Sequence, residues 1–185
     1  MTNDYRLSTN TMYIDFNQIA DNARLWVYQA NRPLTPEEVT RVEQALQSAL
    51  NGWAAHGHPL LSSARVVKNR FVLVAVDENH ALPSGCSIDA SVHFLQAIGK
   101  QLGVDFFDRS VAYIAANGSV QTLTLPQLKA AVAEGVLTPE TTVFNNLIAQ
   151  KADLPGWKVK AGDTWLKRYF KNILAGTDSS DRPAG

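Results

Sequence analysis

The chain contains one cysteine, Cys86, in the sequence GCSID at residues 85–89, where a helix is predicted to begin. A thiol close to the free N–H groups of a first helical turn lies in a positive field, which favours the thiolate. Such a sulfur could be a nucleophile, a redox sensor or a metal ligand. A lone cysteine can equally be a small apolar side chain in the core. The sequence leaves these alternatives open.

Three of the four histidines lie in loops that the predicted topology brings toward Cys86. His56 and His58 follow the first predicted helix, and His80 precedes the second. A Cys–His pair within hydrogen-bond reach would form an activated nucleophile, whereas one sulfur with two or three imidazoles would suit zinc. Cys86, His56, His58 and His80 are therefore candidate catalytic residues. No metal site is assigned, because His-x-His is the only close ligand spacing in the chain.

A second group of polar residues follows the first predicted strand. Gln29, Asn31 and Arg32 could bind an anion, or they could solvate the turn and cap the first helix. Trp157, in the C-terminal section, is a further candidate ligand-binding residue. Near Trp165, the neighbouring basic and aromatic residues 167–170 resemble a patch on which nucleic-acid bases stack. They could also attach the chain terminus to the core.

The elements that must position these residues follow from capping and apolar patterns. Thr35 and Glu38 form a capping box around Pro36, and an Asn117-Gly118 pair indicates a hairpin turn. The predicted elements are strands at 24–28, 63–67, 71–76, 111–115 and 120–125, with helices beginning at Pro36 and spanning 87–102 and 126–134.

The order β-α-β-β-α-β is that of a ferredoxin-like split βαβ core, an α+β fold. Residues 120–125 add a hairpin strand to it. Residues 71–76 are continuously apolar, so that strand is expected to be buried on both faces. The C-terminal section, or else a second copy of the chain, is expected to cover the face without helices. Residues 1–125 are thus the predicted core, 126–175 a section packed on it, and 176–185 a flexible tail.

The composition restricts the classes of partner. Lys and Arg total 17, as do Asp and Glu, giving a formal net charge of zero. Proteins that bind nucleic acid usually carry a basic excess, so nucleic acid is disfavoured as the main partner. The sequence shows neither a run of about 18–20 apolar residues nor a secretory signal. We therefore expect a cytoplasmic protein with no membrane partner and no cofactor, which can form a homodimer.

Several stretches resemble a bacterial family of short proteins that have no assigned function and are often labelled ABC transporter ATPase. These stretches are LWVYQANR (25–32), WAAHG (53–57), SGCSID (84–89), DFFDR (105–109) and VFNN (143–146). The label implies a Walker A loop, G-x-x-x-x-G-K-[ST]. The only Gly-Lys pair, Gly99-Lys100, is followed by Gln101 and lies within a predicted helix. We therefore do not expect ATPase activity, and the resemblance supplies no catalytic residue.

The C-terminal third resembles GYF-like modules, which bind proline-rich peptides. The resemblance rests on residues 113–118, 125–129 and 134–141, followed by Trp157. Taken together, the sequence predicts a cytoplasmic, non-catalytic binding or adaptor protein that can self-associate. The alternative is a thiol-dependent enzyme, or a redox or metal sensor, that uses Cys86 with the loop histidines.

Overall fold

The computed structural model describes residues 12–171, and the α+β class is confirmed because helices accompany antiparallel sheets. The chain divides into two units. Unit 1 contains Met1–Phe106 and Ala149–Ala152, and unit 2 contains Phe107–Ile148 and Asp153–Gly185. The sequence predicts a core that ends at residue 125, whereas residues 107–125 belong to unit 2. The tail predicted at 176–185 lies outside the described residues.

Unit 1 is built on a three-stranded antiparallel sheet. Its elements are β1 (Arg24–Gln29), α1 (Pro36–Asn51), β2 (Ala54–Ala55), β3 (His58–Pro59), β4 (Ser62–Val67), β5 (Phe71–Val76) and α2 (Gly85–Leu102). The strand order is β1-β5-β4, so the last strand in sequence is central. The strands β2 and β3 form a separate small hairpin between α1 and β4.

Both long helices of unit 1 are preceded by a residue whose side chain accepts a hydrogen bond from a free N–H group of the first turn. The Thr35 hydroxyl accepts a hydrogen bond from the Glu38 N–H, and the Glu38 carboxylate accepts one from the Thr35 N–H, which confirms the predicted capping box. Ser84 and Ser87 form the equivalent pair for α2, which therefore begins two residues before the predicted start. The helix α2 ends at Gly103, whose φ of 65° is the left-handed conformation that glycine adopts without strain.

The central strand β5 is buried at all six positions, as its continuous apolar sequence predicts. On one face of the sheet, Trp26 of β1 packs edge-to-face against Trp53, which follows α1. On the other face, the Arg65 guanidinium lies 5.1 Å from the ring centroid of buried Phe16. Since side chains on a strand alternate between faces, this second face is covered in part by residues 12–23. The sequence predicts that the C-terminal section or a second copy of the chain covers this face, and the contribution of residues 12–23 was not predicted.

The edge of β4 is covered by the same N-terminal residues and by α1. Tyr13 forms a parallel bridge with Ser62, and its hydroxyl donates to the Ala64 carbonyl at 3.0 Å. Further along the strand, the Val66 N–H donates to a carboxylate oxygen of Glu43. Several polar backbone groups of this edge are therefore satisfied within the chain.

The edge of β1 is paired with the segment Ala149–Ala152. The Leu25 N–H donates to the Ala149 carbonyl at 2.8 Å, and Arg24 forms an antiparallel bridge with Gln150. Lys151 reinforces this segment, because its ammonium group donates to the Ile19 carbonyl at 2.7 Å. The predicted fourth core strand, residues 111–115, is not part of this sheet.

Unit 2 contains β6 (Val111–Ile114), β7 (Val120–Leu123), α3 (Leu128–Ala133), β8 (Thr142–Phe144) and β9 (Lys158–Lys160). Its antiparallel sheet has the order β7-β6-β8-β9. The hairpin strand predicted at 120–125 is present as β7, paired with β6 across the Asn117-Gly118 turn. Its core comprises Tyr113, Leu128, Ala131, Val132, Leu137, Val143, Ala161, Leu166 and Phe170.

Within residues 12–171, every helix is too short or too polar to cross a lipid bilayer.

Candidate functional site

Cys86 is the second residue of α2, and its side chain is exposed. The predicted placement of the thiol in a first helical turn is therefore confirmed. The helix starts there because Ser84 and Ser87 exchange hydrogen bonds, including a 2.7 Å bond from the Ser84 N–H to the Ser87 hydroxyl. Exposure of the sulfur is inconsistent with the alternative that Cys86 fills the core.

The three loop histidines are exposed, and their positions have local structural reasons. His56 and Gly57 form the tight turn of the β2–β3 hairpin, with φ values of 50° and 78°. Two consecutive positive φ values are those of a type I′ turn, which matches the twist of an antiparallel pair. His58 is the first residue after this turn, and the His80 N–H closes a turn onto the Asp77 carbonyl.

The segment that precedes His56 and the first turn of α2 are linked by a hydrogen bond from a side chain to the backbone. The buried Trp53 ring N–H donates to the Ser87 carbonyl in the first turn of α2, at 2.7 Å. Among residues 12–171, however, no hydrogen bond or ion pair links Cys86 with His56, His58 or His80. No cluster of three or more His, Cys, Asp or Glu side chains suited to a metal ion occurs in that range either. The segments meet, but their side chains form no hydrogen-bonded catalytic pair there.

The polar residues after β1 connect elements of unit 1. Gln29 is buried, and its N–H donates to the Phe106 carbonyl at 3.0 Å. Asn31 exchanges two hydrogen bonds with the backbone of Asp105. These contacts favour the loop-supporting role over the anion-binding role that the sequence left open.

Arg32 is engaged in the same region. Its guanidinium donates two hydrogen bonds to the Glu38 carboxylate, at 2.8 and 2.7 Å, and a third to the Leu102 carbonyl. The hydrogen bonds from Arg32, with that from the Thr35 N–H, lower the pKa of Glu38 to about 2. The cation therefore already has a carboxylate partner and links the start of α1 to the end of α2.

The two C-terminal tryptophans differ in their surroundings. Trp157 is only 4% exposed, packs edge-to-face on Phe144, and donates its ring N–H to the Asn146 side chain at 3.0 Å. Trp165 is 45% exposed. Its ring lies 5.2 Å below the Arg168 guanidinium and 6.1 Å from the ring of Tyr169. We call Trp165, Arg168 and Tyr169 the aromatic surface of unit 2.

The sequence named both tryptophans but ranked Trp157 as the candidate ligand residue. The distinguishing signal is the 3₁₀-helix Trp165–Tyr169, in which residues three apart lie on one side. This spacing places Arg168 over Trp165, whereas Leu166 and Phe170 are buried. An apolar pattern alone does not distinguish a 3₁₀ turn from an α-helical one, so the exposed side was not assigned from sequence.

An open groove of about 420 Å³ lies in unit 1 and was not anticipated from the sequence. Its lining consists of neutral polar side chains on one face of α1 together with Tyr13, namely Tyr13, Gln44, Gln47, Ser48 and Asn51. None of the candidate residues from the sequence lines it. Its lining carries hydroxyl and amide groups and no charged side chain.

Among the residues described above, the exposed aromatic surface of unit 2 is the feature that presents a large apolar ring to solvent, with Trp165 45% exposed. In comparisons with known proteins, no family model, no curated protein and no solved structure matches this chain.

Proposed function

We propose that this protein is a cytoplasmic, non-catalytic binding or adaptor protein whose contact surface is the aromatic surface of unit 2. The observation that carries the proposal is the 45% exposure of Trp165. A large aromatic ring that is partly exposed to water lacks part of the stabilisation that full burial would provide. Aromatic rings are also enriched at protein interfaces. Single aromatic anchors of this kind often supply much of the binding energy.

The aromatic surface belongs to a segment whose neighbouring residues are packed in the core of unit 2, which favours binding. Leu166, in the same helix, and Phe170, directly after it, are both 1% exposed. The Thr164 hydroxyl accepts a hydrogen bond from the Leu166 N–H and so fixes the start of this helix. A ring held on a packed segment loses little conformational entropy when a partner binds.

The ligand class that we propose is an extended, proline-rich peptide. The motif resemblance to GYF-like modules covers residues 113–157, which, apart from the segment Ala149–Ala152, belong to unit 2. Proline-rich segments bind to exposed aromatic rings because the polyproline II conformation is already formed before binding. Trp165 lies outside the resembling stretch, so its exposure is an independent reason for the proposal.

A titration of the full chain with a proline-rich peptide tests this function. We expect Trp165→Ala to weaken binding at least tenfold, measured by fluorescence anisotropy of a labelled peptide. Leu82→Ala is the matched control, because Leu82 is an exposed apolar side chain of unit 1, and this variant is expected to bind normally. Equal affinity of the Trp165→Ala variant and the unchanged protein would contradict the proposal.

We also propose that unit 1 is a ferredoxin-like sheet whose fourth position is occupied by Ala149–Ala152. The order β1-β5-β4, with one helix after β1 and one after β5, supports this interpretation. The antiparallel bridge between Arg24 and Gln150 lies at the edge where such a fold has its fourth strand. Self-association of the full chain, which the sequence also predicted, is checked by light scattering.

A second candidate function is a thiol-dependent role of Cys86. It is favoured by the exposure of the sulfur in the first turn of an 18-residue helix. The test is the rate of alkylation by iodoacetamide as a function of pH. A midpoint well below about 8 would support this role, whereas a midpoint near the ordinary thiol value of about 8.5 would exclude it.

A further inference from the structure

We infer that the peptide bound at the aromatic surface carries acidic side chains next to the residue that packs on Trp165. This inference rests on the proposed binding function and specifies the chemistry of the partner. The chain as a whole has no net charge, so the preference for acidic groups arises from the local distribution of basic residues.

The segment that contains the aromatic surface is locally basic. Between residues 158 and 171, the charged side chains are basic except for Asp163. Lys160 pairs with Glu140 at 2.9 Å. Lys167 and Arg168 are exposed, and within residues 12–171 no carboxylate forms an ion pair with either. Charge complementarity therefore favours a partner with carboxylates.

Arg168 is positioned to bind such a carboxylate. Its Nε donates to the Trp165 carbonyl at 3.2 Å, and its guanidinium is held over the indole ring. A guanidinium has five N–H donors in a planar fork, of which this bond uses one. The terminal N–H groups can then form the paired hydrogen bonds that arginine makes with carboxylates. A ligand residue that packs on Trp165 would place its acidic neighbour at this fork.

A single-stranded nucleic acid would also offer negative charge and flat rings. Proteins that bind it use a basic groove that follows the backbone, with a series of aromatic side chains for successive bases. The described part of unit 2 offers one exposed indole with one neighbouring phenol. An acidic peptide fits this limited surface better, so we take it as the partner.

The test compares three labelled peptides that share one proline-rich sequence and differ only in acidic, neutral or basic flanking residues. Binding to the full chain is measured by fluorescence anisotropy at low and high salt. We expect the acidic peptide to bind about two- to fivefold more tightly than the neutral one at low salt, because exposed ion pairs have small individual effects. The preference should largely disappear at about 1 M salt.

Arg168→Gln should abolish most of the preference for the acidic peptide while the neutral peptide still binds. Arg109→Gln is the control, because Arg109 is an exposed arginine of unit 2 outside this segment. Equal affinities for the acidic and neutral peptides would overturn the inference but leave the proposed function intact. Binding of none of the three peptides would contradict the proposed function itself. Tighter binding of an oligothymidine than of the acidic peptide would overturn the inference in favour of nucleic acid.

Discussion

Ser62 and Ser63 are adjacent at the start of β4, and both are fully buried, but their hydroxyls differ in hydrogen bonding. The Ser63 hydroxyl donates to the Ile14 carbonyl at 2.8 Å. The Ser62 hydroxyl has no hydrogen-bond partner among the described residues. Burying a hydroxyl without a partner is unfavourable, whereas a satisfied one contributes modestly to stability.

We predict opposite effects of the two alanine substitutions. Ser62→Ala should raise the free energy of unfolding by about 1 kcal/mol, because it removes an unsatisfied polar group. Ser63→Ala should lower it by about 1 kcal/mol, because it removes a hydrogen bond. Urea denaturation measures both changes, and each variant is the control for the other. Destabilisation of similar size in both variants would mean that the Ser62 hydroxyl has a partner.

The pairing of Arg32 with Glu38 connects two helices, and its pH dependence follows from the pKa of the carboxyl group. The pKa of Glu38 is lowered to about 2, against an ordinary value of 4.5. In acid, the unfolded chain therefore takes up this proton before the folded chain does. The stabilisation is present above about pH 4.5 and is lost as the pH falls toward 2.

We predict that Glu38→Gln lowers stability at neutral pH and that the difference from the unchanged protein shrinks between pH 4.5 and 2. Glutamine keeps a capping-box side chain at this position, so the substitution removes mainly the charge. Glu37→Gln is the matched control, because Glu37 is the neighbouring acidic residue in the same first turn. Urea midpoints across the pH range measure the effect, and a pH-independent difference would contradict this explanation.

Helix α2 contains two glycines with different requirements. A Cβ atom at Gly99 would collide with the Val104 carbonyl oxygen and approach the Phe106 ring, whereas one at Gly85 would contact nothing within 4 Å. Gly99 thus permits the chain after α2 to return close to the helix. This packing role explains the Gly-Lys pair without a phosphate-binding loop, since Gly99 lies inside the helix.

We predict that Gly99→Ala lowers the free energy of unfolding by roughly 1–3 kcal/mol, although alanine favours helix formation. Gly85→Ala, in the same helix, should be neutral or slightly stabilising. Thermal denaturation of the two variants compares them directly. Equal stability of the two variants would show that the backbone at Val104 can move to accommodate a Cβ atom at position 99 without lowering the free energy of unfolding.

At the scale of the whole molecule, unit 1 is completed by a segment distant in sequence. The chain leaves unit 1 after Phe106 and contributes Ala149–Ala152 to it again. That segment pairs with the edge of β1. An unpaired edge of a sheet exposes backbone donors and acceptors that can pair with another chain.

We predict that a fragment of residues 1–106 is less stable than the full chain and self-associates through β1. Joining residues 149–152 to this fragment through a flexible Gly/Ser linker should restore a monomer. Light scattering and urea denaturation measure both properties. A monomeric fragment 1–106 whose urea midpoint equals that of the linked fragment would show that the segment is dispensable.

The candidate site was predictable from sequence only in its local parts. The placement of Cys86 at a helix start followed from nearby residues and is confirmed. The relation of that cysteine to the histidines depended on side-chain directions in separate loops, which residue spacing does not specify. The choice between Trp157 and Trp165 likewise depended on which ring the surrounding chain covers.

The sequence by itself determined features governed by a few neighbouring residues: the capping box at Thr35, the Asn117-Gly118 turn and the buried run of β5. Hydrogen bonds and φ preferences act over such short distances, so local residue types suffice to specify them. Only the tertiary structure decided that Ala149–Ala152 pairs with the edge of β1 and that Val111–Ile114 belongs to a second sheet. Strand pairing depends on contacts between segments far apart in the chain, and several partners satisfy the same apolar pattern until the whole core is packed.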